Sequence, residues 1–139
     1  MTEQQFNILF NKAKDLMKRT KDLMHDWSHV KRVIDNAFKI KNSLPKEKQR
    51  NIDDKLLTIA CAWHDISYVY YKLSFSQYLL EGKRSAKICK EYLERNRVDK
   101  EEINLIFDII LHHPHGVGVK EILQSPSGSQ VYLYNLSSE

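Results

Sequence analysis

Glycine and proline are scarce in this sequence, which has four and three of them among 139 residues. Loop-rich β-sandwiches place both residues at their many turns, and disordered chains combine them with few apolar side chains. Here 42% of the residues are hydrophobic, and charges of both signs are mixed. The sequence therefore indicates an ordinary globular protein, of a length that suits one compact domain with a buried core.

Cysteine is equally scarce, with two residues in the chain. Cys61 and Cys89 are far apart and form no Cys-x-x-Cys pair, so neither a zinc ribbon nor a redox motif is indicated. Each lies in an apolar context with helical spacing, as expected for a reduced core residue of a cytoplasmic protein. The first residues, MTEQQFNILFNKAK, are polar and contain no signal-peptide hydrophobic region. We therefore expect a cytoplasmic location.

Long apolar runs are absent as well, and none approaches the length of a membrane span, so we expect no membrane partner. The net charge is +4, and residues 1–50 hold twelve Lys and Arg against six Asp and Glu. A basic half can attract phosphate groups, or it can simply be a solvated helix surface. Basic residues do not alternate with aromatic ones as in nucleic-acid-binding proteins, so no clear nucleic-acid site is predicted.

Helical periodicity dominates the sequence up to residue 113 and predicts an all-α, single-domain bundle of about five helices. The central helix is expected to begin at Asp53, a favourable N-cap residue, and it is apolar on almost every side from Leu56 to Trp63. The fourth helix is expected from about Lys83 to Asn96, and Pro114 ends the fifth. Apolar stripes at three- and four-residue spacing mark the first, second and fifth helices, at Phe6–Met17, Trp27–Phe38 and Ile103–Leu111.

Three stretches do not follow the helical pattern. Residues 43–51, SLPKEKQRN, form a polar break, and residues 68–80 are aromatic and partly β-prone, which suggests a loop with short helical turns. After residue 124 the sequence is SPSGSQVYLYNLSSE, in which turn residues precede VYLYNL, a segment that suits a short strand or an apolar tail. We therefore divide the chain into a helical domain, residues 1–124, and an atypical tail, residues 125–139.

Histidine and aspartate lie where a helical bundle could bring them together. In HDWSHVKRV, His25 and His29 are four residues apart and share a face if the helix has begun. In ACAWHDISYVYY, His64 and Asp65 follow the most apolar helix, whose end meets the start of the second helix if the two are antiparallel. A third group, LHHPHG at residues 111–116, ends the fifth helix. Imidazole and carboxylate without thiolate suit a site for Mn, Fe, Co, Ni or Zn.

The same residues also have a purely structural interpretation. A single histidine on a helix is usually a surface residue or a core residue with its own hydrogen-bond partner, and this interpretation applies to His25 and His115. His64 and Asp65 could be a cation at a helix C-terminus with an anion beside it. Spacing alone leaves the metal site and the structural interpretation equally open.

Four segments resemble, in order and spacing, the HD-domain metal-dependent phosphohydrolases. They are HDWSHVKRV, LLTIACAWHDISY, EGKRSAKICKEYL and INLIFDIILHH, and the similarity covers about residues 20–124. The dipeptide that names the family matches His64–Asp65, not His25–Asp26. The resemblance implies a bundle of five or more helices and one metal ion bound by His29, His64, Asp65 and a last Asp on a later helix. It also implies hydrolysis of phosphoesters or phosphoanhydrides, often of nucleotides, and the small HDxxH branch is similar to nucleoside triphosphate pyrophosphohydrolases.

The chain departs from the family pattern in two places. After EILQ, residues 121–124, the family continues into an Asp-Ala-Asp stretch that supplies the fourth ligand, whereas this chain continues SPSGSQ and has no Asp after Asp108. We expect a truncated, frame-shifted or diverged end and an impaired activity. Some nucleotidase branches also place an acidic residue three positions after the Asp of the pair, where this chain has Tyr68. The 5′-nucleotidase interpretation is therefore less well supported.

These observations predict a metal-dependent phosphohydrolase acting on a nucleotide or a related phosphoester or phosphoanhydride. His29, His64 and Asp65 are expected to hold one divalent ion (Mn, Co, Ni, Fe, Mg or Zn), which polarises a phosphoryl oxygen and activates water. Asp65 is also the predicted catalytic residue. The residues predicted to bind substrate phosphates are Arg32, one turn from His29; Lys83 and Arg84, at the expected start of the fourth helix, where amides favour anions; and His112. His113 is an alternative to His112, and Glu121 is a conceivable substitute ligand.

Two other interpretations remain open. The chain could be a non-catalytic HD-fold module that binds a nucleotide or a protein partner in the groove between its helices. An apolar face normally covered by a C-terminal helix would then be exposed and promote association, so a homo-oligomer is compatible with the sequence. The chain could also be a truncated product without a function of its own. For the enzyme, the expected partner is a small phosphate compound, most readily a nucleotide.

Overall fold

The computed structural model describes residues 1–113, 123–124 and 130–131, and the described residues form seven helices and one antiparallel strand pair. Among these residues no helix combines the length and the apolar composition needed to cross a bilayer. The helices are α1 (Glu3–Met17), α2 (Trp27–Ser43), α3 (Lys46–Arg50), α4 (Asp54–Trp63), α5 (Ser67–Tyr70), α6 (Phe75–Arg95) and α7 (Lys100–His112), and the strands are β1 (Leu123–Gln124) and β2 (Gln130–Val131).

The all-α class is confirmed, and α4 is the central helix. It contacts α1, α2, α6 and α7, and seven of its ten residues are buried. The helix begins where expected, because the Asp53 side chain accepts hydrogen bonds from the backbone N–H groups of Lys55 and Leu56. At its other end Trp63 is fully buried and donates its indole N–H to the carbonyl of Leu9 at 3.2 Å. Helix α4 is therefore held by neighbours on all sides, and it ends immediately before His64.

Two boundaries differ from the sequence-based expectation. The polar break at residues 43–51 contains the short helix α3, which the Gln49 side chain ties to the end of α2 by donating to the carbonyls of Asn42 and Leu44. Helix α6 begins at Phe75 instead of Lys83, capped by the Ser74 hydroxyl. Of the tail predicted at residues 125–139, only residues 130–131 are described, so VYLYNL lies outside the described residues except for Val131.

Apolar periodicity does not predict the start of α6, because the amphipathic pattern is inverted there. In the first two turns the buried side chains are the polar Gln77 and Glu81, whereas Phe75, Tyr78 and Leu79 are exposed. A search for apolar residues on an inward face finds no helix in such a stretch, because the inward face is polar. Helix formation is supported here by the Ser74 cap and by the buried contacts of the two polar residues.

Those polar residues join α6 to α5, the short helix that follows His64–Asp65. The Gln77 amide donates to the Ser67 hydroxyl at 2.8 Å, and the Ser85 hydroxyl lies 3.0 Å from the same oxygen. The backbone N–H of Ser67 donates to the Ser85 hydroxyl at 3.1 Å. Next to it, the Tyr68 hydroxyl donates to the buried Glu81 carboxylate, and burial together with this contact raises the pKa of Tyr68. The chain after Asp65 is thus anchored by hydrogen bonds rather than by apolar packing alone.

Replacing Tyr68 with Phe removes the hydroxyl that donates to the Glu81 carboxylate. We expect the free energy of unfolding to fall by about 1–3 kcal/mol, because a buried acceptor that loses its partner keeps its desolvation cost. Denaturant unfolding followed by circular dichroism measures the change. Tyr71→Phe is the matched control, since the Tyr71 ring is exposed and its hydroxyl has no hydrogen bond among the described residues. Equal losses in the two variants would contradict the assignment.

Candidate metal centre

Three side chains from two helices meet at one end of the bundle. His29 lies in the first turn of α2, where its backbone N–H is held by the N-cap Asp26 at 2.9 Å, and His64 and Asp65 follow the last residue of α4. The Nε2 atoms of His29 and His64 lie 3.2 and 2.9 Å from Oδ2 of Asp65. One ligand atom from each residue lies within 4.8 Å of the others, a spacing that suits a single metal ion.

A fourth side chain, His113, reaches the same carboxylate from the end of α7. Its Nε2 lies 3.3 Å from Oδ1 of Asp65, so the imidazoles of His29 and His64 contact one carboxylate oxygen and that of His113 contacts the other. The ring of His113 stands nearly perpendicular to that of His64, with centroids 4.9 Å apart. Both oxygens of Asp65 are therefore surrounded by imidazole nitrogens.

The hydrogen bonds at Nδ1 of two of these rings determine which ring nitrogen carries the proton. Nδ1 of His64 lies 2.7 Å from the carbonyl of Cys61, and Nδ1 of His113 lies 2.7 Å from the carbonyl of Ile110. Because a carbonyl only accepts, each Nδ1 carries the proton, and a neutral ring then presents a bare Nε2 to the carboxylate. With a second proton on Nε2 the ring donates to Asp65, and without that proton the bare Nε2 offers a lone pair to a metal ion beside the carboxylate.

The charge of Asp65 depends on the same three rings. Its side chain is almost completely buried, and burial alone would raise its pKa. The charge of His64 and hydrogen bonds from His113, His29 and His64 outweigh burial and hold the pKa of Asp65 well below its ordinary value. The carboxylate therefore stays ionised in the interior, as a metal ligand must.

His112, which the sequence marks as a substrate-binding residue, does not contact Asp65. It is exposed, and its Nδ1 lies 2.8 Å from the carbonyl of Asp108. Neighbouring residues on a helix point about 100° apart, so only one of the two histidines can face the site. The sequence does contain a signal for His113, which continues the buried stripe of Ile103, Ile106 and Ile110 at three- and four-residue spacing.

The predicted phosphate-binding residues Arg32 and Lys83 are both exposed and make no ion pair or hydrogen bond among the described residues. Lys83 and Arg84 do not begin a helix, so the expected support from free amides at a helix N-terminus is wrong for both; they lie in the third turn of α6. Arg84 is held in place: it donates to the Gln77 side chain at 2.8 Å, and its guanidinium lies 4.0 Å from the centroid of the Tyr71 ring. Glu121 lies outside the described residues.

A further histidine stands beside the centre without contacting Asp65. Nδ1 of His25 lies 2.6 Å from Oδ2 of Asp22, and its ring stacks on that of Tyr68 with centroids 3.8 Å apart. Its centroid is 5.8 Å from that of His29. Burial would raise the pKa of Asp22, but the hydrogen bond with His25 and a second one with the backbone of Met24 lower it below its ordinary value. His25 therefore has partners of its own and forms a wall of the site.

The comparison with known protein families identifies this arrangement. A family model for the HD domain matches residues 26–131, which is more than half of the chain. The match includes His29, His64, Asp65 and His113, and members of the family are generally hydrolases. Comparison with curated proteins and with solved structures gave no match. With the helical bundle and the His-Asp pair at the end of its central helix, this match shows that the chain belongs to the HD domain family.

Proposed function

We propose that this protein is a metal-dependent phosphohydrolase that acts on a nucleotide or a related phosphoester or phosphoanhydride in the cytoplasm. The single observation that carries the proposal is the convergence of three Nε2 atoms on the buried Asp65 carboxylate. Because two of these rings donate their Nδ1 protons to backbone carbonyls, the arrangement offers lone pairs and a negative charge to a cation.

The residues present fit a divalent ion with nitrogen and oxygen ligands. His29, His64 and Asp65 would hold it, and His113 is the candidate for the position that the family resemblance assigns to a last Asp. Cys61 offers no competing thiolate, because burial raises the pKa of its thiol to about 12. Imidazole and carboxylate ligands are compatible with Mn, Fe, Co, Ni and Zn, and Mg is also considered.

When bound, a divalent ion supplies Lewis acidity toward a phosphoryl oxygen and lowers the pKa of water. The chain's own residues do the rest. The ionised Asp65 orients His29, His64 and His113, while the carbonyls of Cys61 and Ile110 fix the proton positions on two of the rings. Arg84, held by Gln77 and stacked on Tyr71, is the cation that we propose for a substrate phosphate.

Replacing His113 with Ala tests its place among the ligands. We expect the affinity for Mn²⁺ to fall by about 10–100-fold, because one nitrogen donor is lost while the other three residues remain. Isothermal titration calorimetry of the apo protein measures the affinity. His112→Ala, one residue earlier on the same helix end, is the matched control and should bind Mn²⁺ as the wild type does. Equal affinities of the two variants would exclude His113 from the centre.

Hydrolysis tests the function directly. A panel of nucleoside triphosphates and phosphate monoesters is incubated with Mn²⁺, Co²⁺, Ni²⁺ or Mg²⁺, and the release of phosphate or pyrophosphate is followed. We expect metal-dependent turnover that His64→Ala abolishes, because this variant lacks one nitrogen ligand. No turnover above that variant with any of these metals would contradict the proposal. Nucleotide binding by a metal-free, inactive chain would instead favour the non-catalytic module.

Arg84 is expected to contribute mainly to substrate binding. Arg84→Met keeps much of the side-chain volume but loses the charge, so we expect KM for the best substrate to rise about tenfold, which corresponds to about 1.4 kcal/mol, with a smaller change in kcat. Steady-state kinetics measures both parameters. Lys39→Met, which removes an exposed charge from α2, is the control and should leave KM unchanged. A fall in kcat with KM unchanged would indicate that Arg84 acts in a step after substrate binding.

A further inference from the structure

The inverted start of α6 and the segment before it expose a group of large apolar side chains. Within residues 70–80 the exposed fractions reach 71% for Leu73, 77% for Phe75 and 60% for Tyr78. Tyr70, Tyr71, Leu79 and Leu80 are exposed as well. Single exposed apolar residues are common, but a run of seven within eleven positions is an exposed patch of the kind that marks an interaction site. We refer to these seven residues as the α6 face.

Within the stretch of sequence that contains the α6 face, the charged residues are almost all positive. Residues 66–90 contain five Lys and Arg and one acidic residue, Glu81. That carboxylate is buried and accepts from Tyr68, so this stretch exposes no negative side chain. Lys83 follows Phe75 and Leu79 at four-residue spacing, which places a cation on the same side of the helix as the apolar residues. Lys72 lies between Tyr71 and Leu73 and is also exposed.

A second exposed apolar segment adjoins this region. Leu23 and Met24, in the loop before α2, are 87% and 75% exposed. The next residue, His25, stacks on Tyr68 of α5, so this loop lies beside the segment that leads into the α6 face. The loop before α2 therefore also presents apolar side chains to solvent, and its neighbour His25 contacts α5.

We propose that the α6 face docks onto an anionic lipid surface, with its leucine, phenylalanine and tyrosine side chains in the headgroup region and Lys72 and Lys83 on acidic headgroups. Interfacial helices combine an apolar face with Lys and Arg in this way, and lysine stems can lie along apolar surface while the ammonium group meets phosphate. The inner surface of a cell membrane carries the required negative charge.

The charges and side-chain types of the α6 face favour a lipid surface over a second copy of the chain and over a single-stranded nucleic acid. A second copy of the chain, related by a twofold axis, would bring Lys72 and Lys83 toward their own copies with no exposed carboxylate on either α6 face to pair with them. A single-stranded nucleic acid would find cations and tyrosines, but Leu73, Leu79 and Leu80 cannot stack on a base. An acidic bilayer offers an apolar environment to the aliphatic side chains and anionic headgroups to the lysines.

This proposal departs from the sequence-based expectation of no membrane partner, because that expectation considers only apolar runs long enough to span a bilayer. It does not depend on the proposed hydrolase activity. The α6 face lies outside the group of residues that contact Asp65, so docking is measurable on a chain that is inactive. Leu79 and Phe75 can also be changed without touching a metal ligand.

Co-sedimentation with vesicles tests the proposal. We expect the full chain to bind phosphatidylcholine vesicles containing about 30% phosphatidylserine at least tenfold more tightly than pure phosphatidylcholine vesicles. Raising NaCl to about 0.5 M should release most of the protein, because salt screens the lysines. The double variants Phe75→Ser/Leu79→Ser and Lys72→Glu/Lys83→Glu should each lose binding by at least tenfold. Lys31→Glu/Lys39→Glu, with the same charge change on exposed positions of α2, should bind as the wild type does.

Thermal unfolding first establishes that the variants are folded, which is expected because the substituted side chains are exposed. Binding that does not exceed binding to neutral vesicles would overturn the proposal. So would an equal loss in the α2 control, which would indicate a general charge effect, or undiminished binding by Phe75→Ser/Leu79→Ser. Light scattering adds one more decisive outcome: a dimer that this last variant converts to monomer, without vesicle binding, would assign the face to a second copy.

Discussion

The charge of Asp65 is the constraint around which this end of the bundle is arranged. An ionised carboxylate that is almost completely buried is costly unless partners inside the protein stabilise it. Here the partners are three imidazoles, and each comes from a different place in the chain: the first turn of α2, the end of α4 and the end of α7. The ends of three helices are therefore tied to one another through a single side chain, in addition to the apolar core below them.

The segment after Asp65 is fixed by a different means, and this explains the unusual start of α6. Ser67 is anchored by Gln77 and Ser85, and Tyr68 is anchored by Glu81. Polar anchors on the inner side of α6 leave the apolar residues of its first turns on the outer side. The exposed face and the hydrogen-bonded chain beside the candidate metal centre are thus two consequences of one inverted pattern.

Much of the fold could be predicted from the sequence, because five helices carry either a regular apolar stripe or, in α4, an almost entirely apolar surface. The two features that the sequence does not predict, the start of α6 and the helix α3, have local causes. The stripe is inverted at Phe75–Glu81, so apolar periodicity does not indicate the first two turns of α6, and it wrongly predicts a helix start at Lys83 and Arg84. Helix α3 is polar throughout and has no buried residue, so periodicity could not indicate it.

The candidate site was predictable to a similar degree. The positions of His29, His64 and Asp65 follow from the helix ends that carry them. The choice between His112 and His113 required only the buried stripe of α7, in which Ile110 is followed by His113 three residues later. Partners such as Asp22 for His25 and Gln77 for Arg84 could not be inferred, because they depend on how loops and the inverted helix pack.

The proposed ligand set differs in charge from the one that the family resemblance implies. Two histidines and two aspartates would carry two negative charges, whereas His29, His64, His113 and Asp65 carry one. A divalent ion in such a site would leave a net charge of +1 rather than zero, which favours the approach of an anionic phosphate. Three imidazole nitrogens also disfavour Mg²⁺, which prefers oxygen ligands, and favour transition metals. His113 would therefore alter the choice of metal as well as complete its coordination.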